Sequence, residues 1–103
     1  MLSIIVPCYN EADAIPYFFA ATEEVITGLG CQTEYIFVND GSKDETLTVL
    51  RNLHQKHPDR VRYLSFSRNF GKEAAIFAGL KACRGDYITL MDADLQDPPE
   101  LLP

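Results

Sequence analysis

Asp92 and Asp94 stand two residues apart at the end of an apolar run, Tyr87-Ile88-Thr89-Leu90-Met91. In extended backbone, residues two apart share a face and lie about 7 Å from each other. Two carboxylates held that close repel unless a cation sits between them. Hard oxygen donors suit magnesium or manganese rather than zinc. One chemistry for this stretch is therefore a divalent cation held at the end of a strand. The other is a polar turn whose Asp residues cap the next helix. Asp97-Pro98-Pro99-Glu100 supports such a helix start, with a cap residue, a proline at the first position and Glu at the third. From this stretch alone both readings stand.

The elements that position these residues follow from periodicity. Short apolar runs predict strands near residues 2–6, 34–39, 61–66 and 86–91. Pro7 is expected to stop the first. Asp13 is the expected N-cap of a helix that puts Pro16 in its first turn, where no N–H is needed. Ile15, Phe18, Phe19, Thr22, Val25, Ile26 and Leu29 recur at helical spacing and predict its buried face. Gly28 and Gly30 end it. Ser42-Lys43-Asp44-Glu45 matches a capping box, and the helix it opens runs to about His57, before Pro58. Residues 71–83 predict a third helix rich in Ala and Gly, close to the sheet, with Gly85 as its stop. Phe77 is expected in the core beside Phe18 and Phe19. Strand and helix alternate throughout, which predicts an α/β fold: a parallel, Rossmann-like βαβαβαβ sheet with right-handed crossovers. The strands should lie side by side in the order third, second, first, fourth.

Ligands of open parallel sheets bind at the carboxyl ends of the strands. At that rim the first strand delivers Tyr9, Asn10 and Glu11, and the second Asn39, Asp40 and Ser42. The third delivers Arg68 and Asn69, with Lys72 one turn on, and the fourth Asp92, Asp94 and Gln96. The opposite rim carries blander residues, such as Thr33-Glu34 and Asp59-Arg60. That asymmetry favours a ligand site over four unrelated solvated loops. Each residue has a plainer role available. Glu11 can complement a helix dipole, Asp40 can make a turn, and Lys72 can be a surface lysine. His54 and His57 lack a nearby third donor and are expected to be exposed helix-end residues.

The bulk composition narrows the classes. The chain has 103 residues, a net charge of −6 and 47% hydrophobic residues. That describes one small globular core. The acidic balance argues against nucleic acid as a partner. Cys8, Cys31 and Cys83 are odd in number, without Cys-x-x-Cys spacing, and imply thiols in a reducing, cytoplasmic setting. No stretch is long enough for a membrane span, and with strand-like residues from Leu2 on no signal peptide is expected. A helix opening at Asp97 would have fewer than two turns before Pro103, too few to be stable alone. The chain is therefore expected to be the front part of a longer protein. Its unfinished sheet and apolar surface could drive self-association.

Pro7-Cys8-Tyr9-Asn10-Glu11, Asn39-Asp40-Gly41-Ser42-Lys43-Asp44, Ser67-Arg68-Asn69-Phe70-Gly71-Lys72 and the run from Asp92 to Glu100 resemble the successive motifs of the family 2 inverting glycosyltransferases. Within that family the likeness is to the polyprenyl-phosphate sugar transferases. It extends over the whole chain, in order and at family spacing. Asn39 departs from it, standing where many relatives have Asp. The resemblance implies the N-terminal, nucleotide-binding half of a GT-A fold and a UDP- or GDP-sugar donor. It implies that Pro7, Tyr9, Glu11 and Asp40 hold base and ribose, and that Arg68 or Lys72 assists at the diphosphate. It also implies that Asp92, Asp94 and Gln96 bind Mg²⁺ or Mn²⁺, which makes Asp92 and Asp94 the catalytic pair. A polyprenyl phosphate acceptor brings its own anionic oxygen. The acceptor half, any base and any membrane helices are expected beyond residue 103, and the whole protein at the cytoplasmic face of a membrane.

Other classes fit less well. A phospho-receiver signalling domain needs a phosphorylatable Asp at the end of the third strand, where this chain has Ser67. A dinucleotide oxidoreductase needs Gly-x-Gly-x-x-Gly after the first strand, where this chain has Pro7-Cys8-Tyr9-Asn10-Glu11. A non-catalytic nucleotide-binding module remains the alternative for the fragment by itself.

Overall fold

A computed structural model describes residues 1–30 and 32–93. The strands are β1 (Leu2–Cys8), β2 (Thr33–Asn39), β3 (Val61–Ser65) and β4 (Tyr87–Leu90). The helices between them are α1 (Ala14–Leu29), α2 (Thr46–Lys56) and α3 (Lys72–Ala82). All pairings are parallel, and the order is β3-β2-β1-β4, as the alternation predicts. Helix α1 and helix α2 cover one face of the sheet. There Ile15, Phe18, Phe19, Ile26 and Leu50 pack on Ile4, Val6, Tyr35, Phe37 and Val61. Helix α3 covers the other face, with Ala75 against Ile36 and Val38. The expected turn of helix behind Asp97, together with Cys31, lies outside the described residues.

Pro7 does not stop β1. The strand runs on to Cys8, and Pro7 pairs with Val38 in the register of β2. Backbone groups alternate between neighbours along a strand. Ile5 faces β4, where its carbonyl accepts from the Met91 N–H (3.1 Å), so Pro7 faces that side too. The ladder to β4 ends at Ile5–Leu90, so the missing proline N–H breaks no bond.

Two terminators differ from expectation. Gly30 caps α1 in the left-handed region (φ 69°) and donates to the Ile26 carbonyl, as predicted. Gly85, however, is no helix stop, because α3 ends at Ala82 with Cys83 extended. Gly85 is needed for close approach: a Cβ there would lie 2.4 Å from Ser3 Oγ and 2.6 Å from the Met1 carbonyl. The capping box also fails. Helix α2 starts at Thr46, and Asp44 rather than Ser42 accepts from the Thr46 N–H (3.0 Å). Ser42 Oγ is taken by the Asn10 N–H (2.9 Å).

Phe77 is not core. It is 59% exposed, with the Lys81 ammonium 4.6 Å above its ring. The small side of α3 faces the sheet instead, where Gly79 sits over Ile5. Leu80 on the same helix, and Ile88 and Leu90 on β4, are exposed apolar side chains as well. Leu29, expected buried, is also exposed at the end of α1.

The rim read as bland holds a buried hub. Glu34 is 4% exposed and accepts from Ser3 Oγ (2.6 Å), the Arg84 N–H (2.6 Å) and an Arg62 guanidinium nitrogen (2.7 Å). Arg62 also donates to the Ala82 carbonyl at the end of α3 (2.6 Å), and Ser3 Oγ accepts from the Gly85 N–H (2.8 Å). One carboxylate thereby joins β1, β2, β3 and the turn into β4. A buried charge is tolerable when it is paired and fully hydrogen-bonded, as here.

Two tests follow from this packing. Gly79→Ala would put a methyl group 2.5 Å from Ile5 Cγ2. It should lower the unfolding free energy by about 1–3 kcal/mol, the cost of overpacking. Gly28→Ala, with nothing within 4 Å, should raise it by about 0.5–1 kcal/mol. Urea unfolding measures both, and equal shifts would remove the packing argument. For Glu34, burial pushes the carboxyl up, but the hydrogen bonds from Ser3, Arg84 and Arg62 and the Arg62 charge bring it net below its ordinary value of 4.5. Its contribution is complete above that value and is lost as pH falls through the lower folded value. The stability advantage of wild type over Glu34→Gln should therefore shrink in thermal unfolding as pH drops below 4.5.

Candidate functional site

Three loops meet at the carboxyl ends of the strands. Asn10 adopts a left-handed conformation (φ 53°), which Asn tolerates better than most residues. Its side-chain oxygen accepts from the Lys43 N–H (2.8 Å), and the Glu11 N–H donates to Thr46 Oγ1 (3.0 Å). The β1–α1 and β2–α2 loops are thus stitched together. Asn39, buried at the end of β2, donates to Ser65 Oγ (3.1 Å) and accepts from the Ser42 N–H (3.1 Å). An amide does both at once. Aspartate in its place would lack the N–H₂ donor, which gives the departure to Asn a local physical reason.

Asp40 ties in the third loop. It is 4% exposed. Its Oδ1 accepts from the Phe70 N–H (2.8 Å), and its Oδ2 from the Gly71 N–H (3.1 Å) and Asn69 Nδ2 (3.3 Å). Gly41 permits the contact. It has φ 69°, and a Cβ on it would lie 2.2 Å from the Arg68 carbonyl carbon. The carboxylate at the end of β2 thereby fixes the entry to α3, whose first residue is Lys72.

The cleft so formed has a volume of about 250 Å³ and is lined by Pro7, Cys8, Tyr9, Glu11, Asp40, Lys72 and Asp92. Six of these seven are residues singled out from the sequence. Cys8 is the addition. Burial, and then the Glu11 charge, push its thiol far up, so it is a neutral wall residue and not a nucleophile. Arg68 does not line this cleft. It is exposed and stacks on the Phe70 ring at 4.7 Å. Asp92 follows the end of β4, and its Oδ1 lies 3.0 Å from Lys72 Nζ. Its neighbours Met91 and Ala93 are buried, so strand alternation turns Asp92 toward the cleft. Asp94 and Gln96 lie outside the described residues.

Residues 3–103 match the family described as Glycosyl transferase family 2. This chain belongs to that family. It is 46% identical over 102 residues to the prophage bactoprenol glucosyl transferase homolog of Escherichia coli K12, covering 99% of this chain and 33% of that protein. It is 39% identical, again over 102 residues, to the undecaprenyl-phosphate 4-deoxy-4-formamido-L-arabinose transferase of Pseudomonas fluorescens, covering 99% of this chain and 30% of that one. Among solved structures, it superimposes on a mannosyltransferase from Pyrobaculum calidifontis in complex with GDP-Man and Mn²⁺, with a TM-score of 0.76 and 26% identity. That match covers 90% of this chain and 27% of the other. The chain thus spans about a third of the length of these family members. Its parallel sheet is the N-terminal part of the GT-A architecture that the motifs imply.

The Asp40 geometry makes a testable claim. Asp40→Asn keeps size but turns an amide N–H₂ toward backbone N–H groups. The protein without nucleotide should lose about 1–3 kcal/mol of stability, the penalty for unsatisfied buried donors. Thermal and urea unfolding measure it. An unchanged midpoint would mean that Asp40 acts only on a ligand.

Proposed function

We propose that the protein of which this chain forms part transfers a sugar from a UDP- or GDP-sugar to a polyprenyl phosphate, with inversion and with help from Mg²⁺ or Mn²⁺. The observation that carries this reading is the position of Asp92. It sits at the carboxyl end of β4, in one cleft with Pro7, Tyr9, Glu11, Asp40 and Lys72. The bactoprenol and undecaprenyl-phosphate transferases named above support the acceptor class, and the GDP-Man and Mn²⁺ complex supports the donor class and the metal.

Among the described residues no group of three or more His, Cys, Asp or Glu side chains is arranged to hold a metal ion, and the fit to a divalent ion rests on the chemistry of Asp92. Asp92 offers a hard oxygen donor that already attracts a cation, the Lys72 ammonium, and its partial exposure leaves room for water and phosphate oxygens. Asp92, Asp94 and Gln96 are the proposed ligands. When bound, the ion would offset charge on the departing nucleoside diphosphate. Tyr9 and Pro7 offer an aromatic and an apolar wall for base and ribose, with Glu11 and Asp40 beside them. Of the two cations proposed for the diphosphate, Lys72 lines the cleft and adds positive charge there, whereas Arg68 lies outside it on the Phe70 ring. In the transfer, an acceptor phosphate oxygen attacks the anomeric carbon from the face opposite the departing nucleoside diphosphate. The bond to the nucleoside diphosphate breaks, and its electron pair leaves on the diphosphate oxygen. The acceptor oxygen is already anionic, so no base on this chain is required. The acceptor site belongs to the remainder of the protein, at the cytoplasmic face of a membrane. No helix among the described residues is long and apolar enough to cross one.

Calorimetric titration with UDP and GDP, at fixed Mn²⁺ and again with chelator, tests the donor half of this reading. Asp94→Asn should weaken the metal-dependent component by about 1–3 kcal/mol, the worth of a charge-assisted contact. Asp97→Asn should change it little, because Asn caps a helix nearly as well as Asp. The reverse result would move the metal away from Asp92 and Asp94.

A further inference from the structure

We infer that Lys72 is the resident cation of Asp92, and that it exchanges this carboxylate for the donor's diphosphate when a divalent ion loads. The inference rests on the function proposed above and goes beyond it by assigning Lys72 two successive partners. Lys72 Nζ lies 3.0 Å from Asp92 Oδ1, so an ammonium already holds one of the two oxygens of that carboxylate. A divalent ion and an ammonium cannot both contact one carboxylate without strong mutual repulsion. Loading the ion therefore moves the ammonium.

The structure lets the side chain move while holding its root. The backbone before Lys72 is pinned by Asp40, through the Phe70 and Gly71 N–H groups. The Lys72 side chain is 62% exposed on a flexible four-carbon stem, whereas the Asp92 side chain is only 25% exposed. The lysine is the longer and more exposed partner of the pair. Lys72 also opens the 11-residue helix α3, whose N-terminus favours an anion nearby. Among the described residues, the other acids lining the cleft are Glu11 and Asp40, and the Asp40 carboxylate is already engaged with backbone N–H groups. A diphosphate entering the cleft would offer the displaced ammonium a strong new acceptor. The exchange predicts that metal binds weakly without nucleotide, because the ion must then displace a lysine that has no diphosphate to receive it.

The test is a pair of titrations on the protein and on its Lys72→Met, Lys72→Gln, Lys72→Arg and Asp92→Asn variants. The first follows Mn²⁺ binding without nucleotide, by electron paramagnetic resonance of the free ion. Lys72→Met and Lys72→Gln should bind Mn²⁺ about two- to fivefold tighter than wild type, the worth of a half-exposed ion pair. Lys72→Arg should stay near wild type, and Asp92→Asn should bind more weakly. The second follows UDP or GDP binding at saturating Mn²⁺. There Lys72→Met and Lys72→Gln should bind about tenfold more weakly, having lost a charge-assisted contact. Opposite shifts in one variant are the signature, since a merely structural lysine would weaken both. Should the neutral variants bind Mn²⁺ no tighter than wild type while Asp92→Asn binds it more weakly, the exchange is wrong and the metal reading survives. Should Mn²⁺ binding not depend on Asp92 at all, the metal assignment fails, and the exchange fails with it.

Discussion

A single buried carboxylate holds the cleft in shape. Asp40 ends the central strand pair and accepts from the backbone of Phe70 and Gly71, so the sheet and α3 share one fixed point. Everything at the rim is measured from there. The Gly41 turn permits the close approach, the loop through Asn69 wraps around it, and Lys72 leaves the first turn of α3 at a set position. Backbone N–H groups at a helix start are otherwise unsatisfied, so an acidic partner both stabilises the helix and orients it. The cost of burying Asp40 is offset because its oxygens are hydrogen-bonded.

Glu34 performs the matching task at the far rim. It gathers Ser3, Arg62 and Arg84 and so sets how the chain turns from α3 into β4. Strand β4 is short and largely exposed, paired to β1 over four residues. Among the described residues it is an edge strand, with little packing of its own to define its register. With the turn held at one end and Met91 and Ala93 buried at the other, Asp92 has little freedom but to face Lys72. The two buried acids therefore work on one problem from opposite ends of the sheet. They bring a carboxylate from β4 and an ammonium from α3 into one cleft.

The architecture was legible in the sequence because its causes are local. Apolar runs separated by helical periodicity leave few options besides a parallel sheet with right-handed crossovers. That topology places every strand's carboxyl end on one rim, which is why Pro7, Tyr9, Glu11, Asp40, Lys72 and Asp92 line one cleft. The family motifs sharpened the chemistry expected there. Local rules erred where two partners competed for one group. Ser42 fits a capping box by spacing, but the Asn10 N–H claims its hydroxyl across 32 residues. Phe77 looks like core by hydrophobicity. Yet α3 has small residues on one side, and close packing of Gly79 over Ile5 settles which side faces in.

The sequence by itself determined the order of elements, the strand arrangement and most of the described residues at the cleft, because each depends on pattern and chain connectivity. Only the tertiary structure decided what those residues are occupied with. Asp40 holds backbone, Asn39 bridges Ser65 and Ser42, Arg68 stacks on Phe70, Glu34 is a buried hub rather than a bland rim residue, and Lys72 sits on Asp92. The physical reason is range. Periodicity says which face a side chain occupies, whereas a buried polar group takes whichever partner the fold brings within 3 Å or so, however distant in the chain.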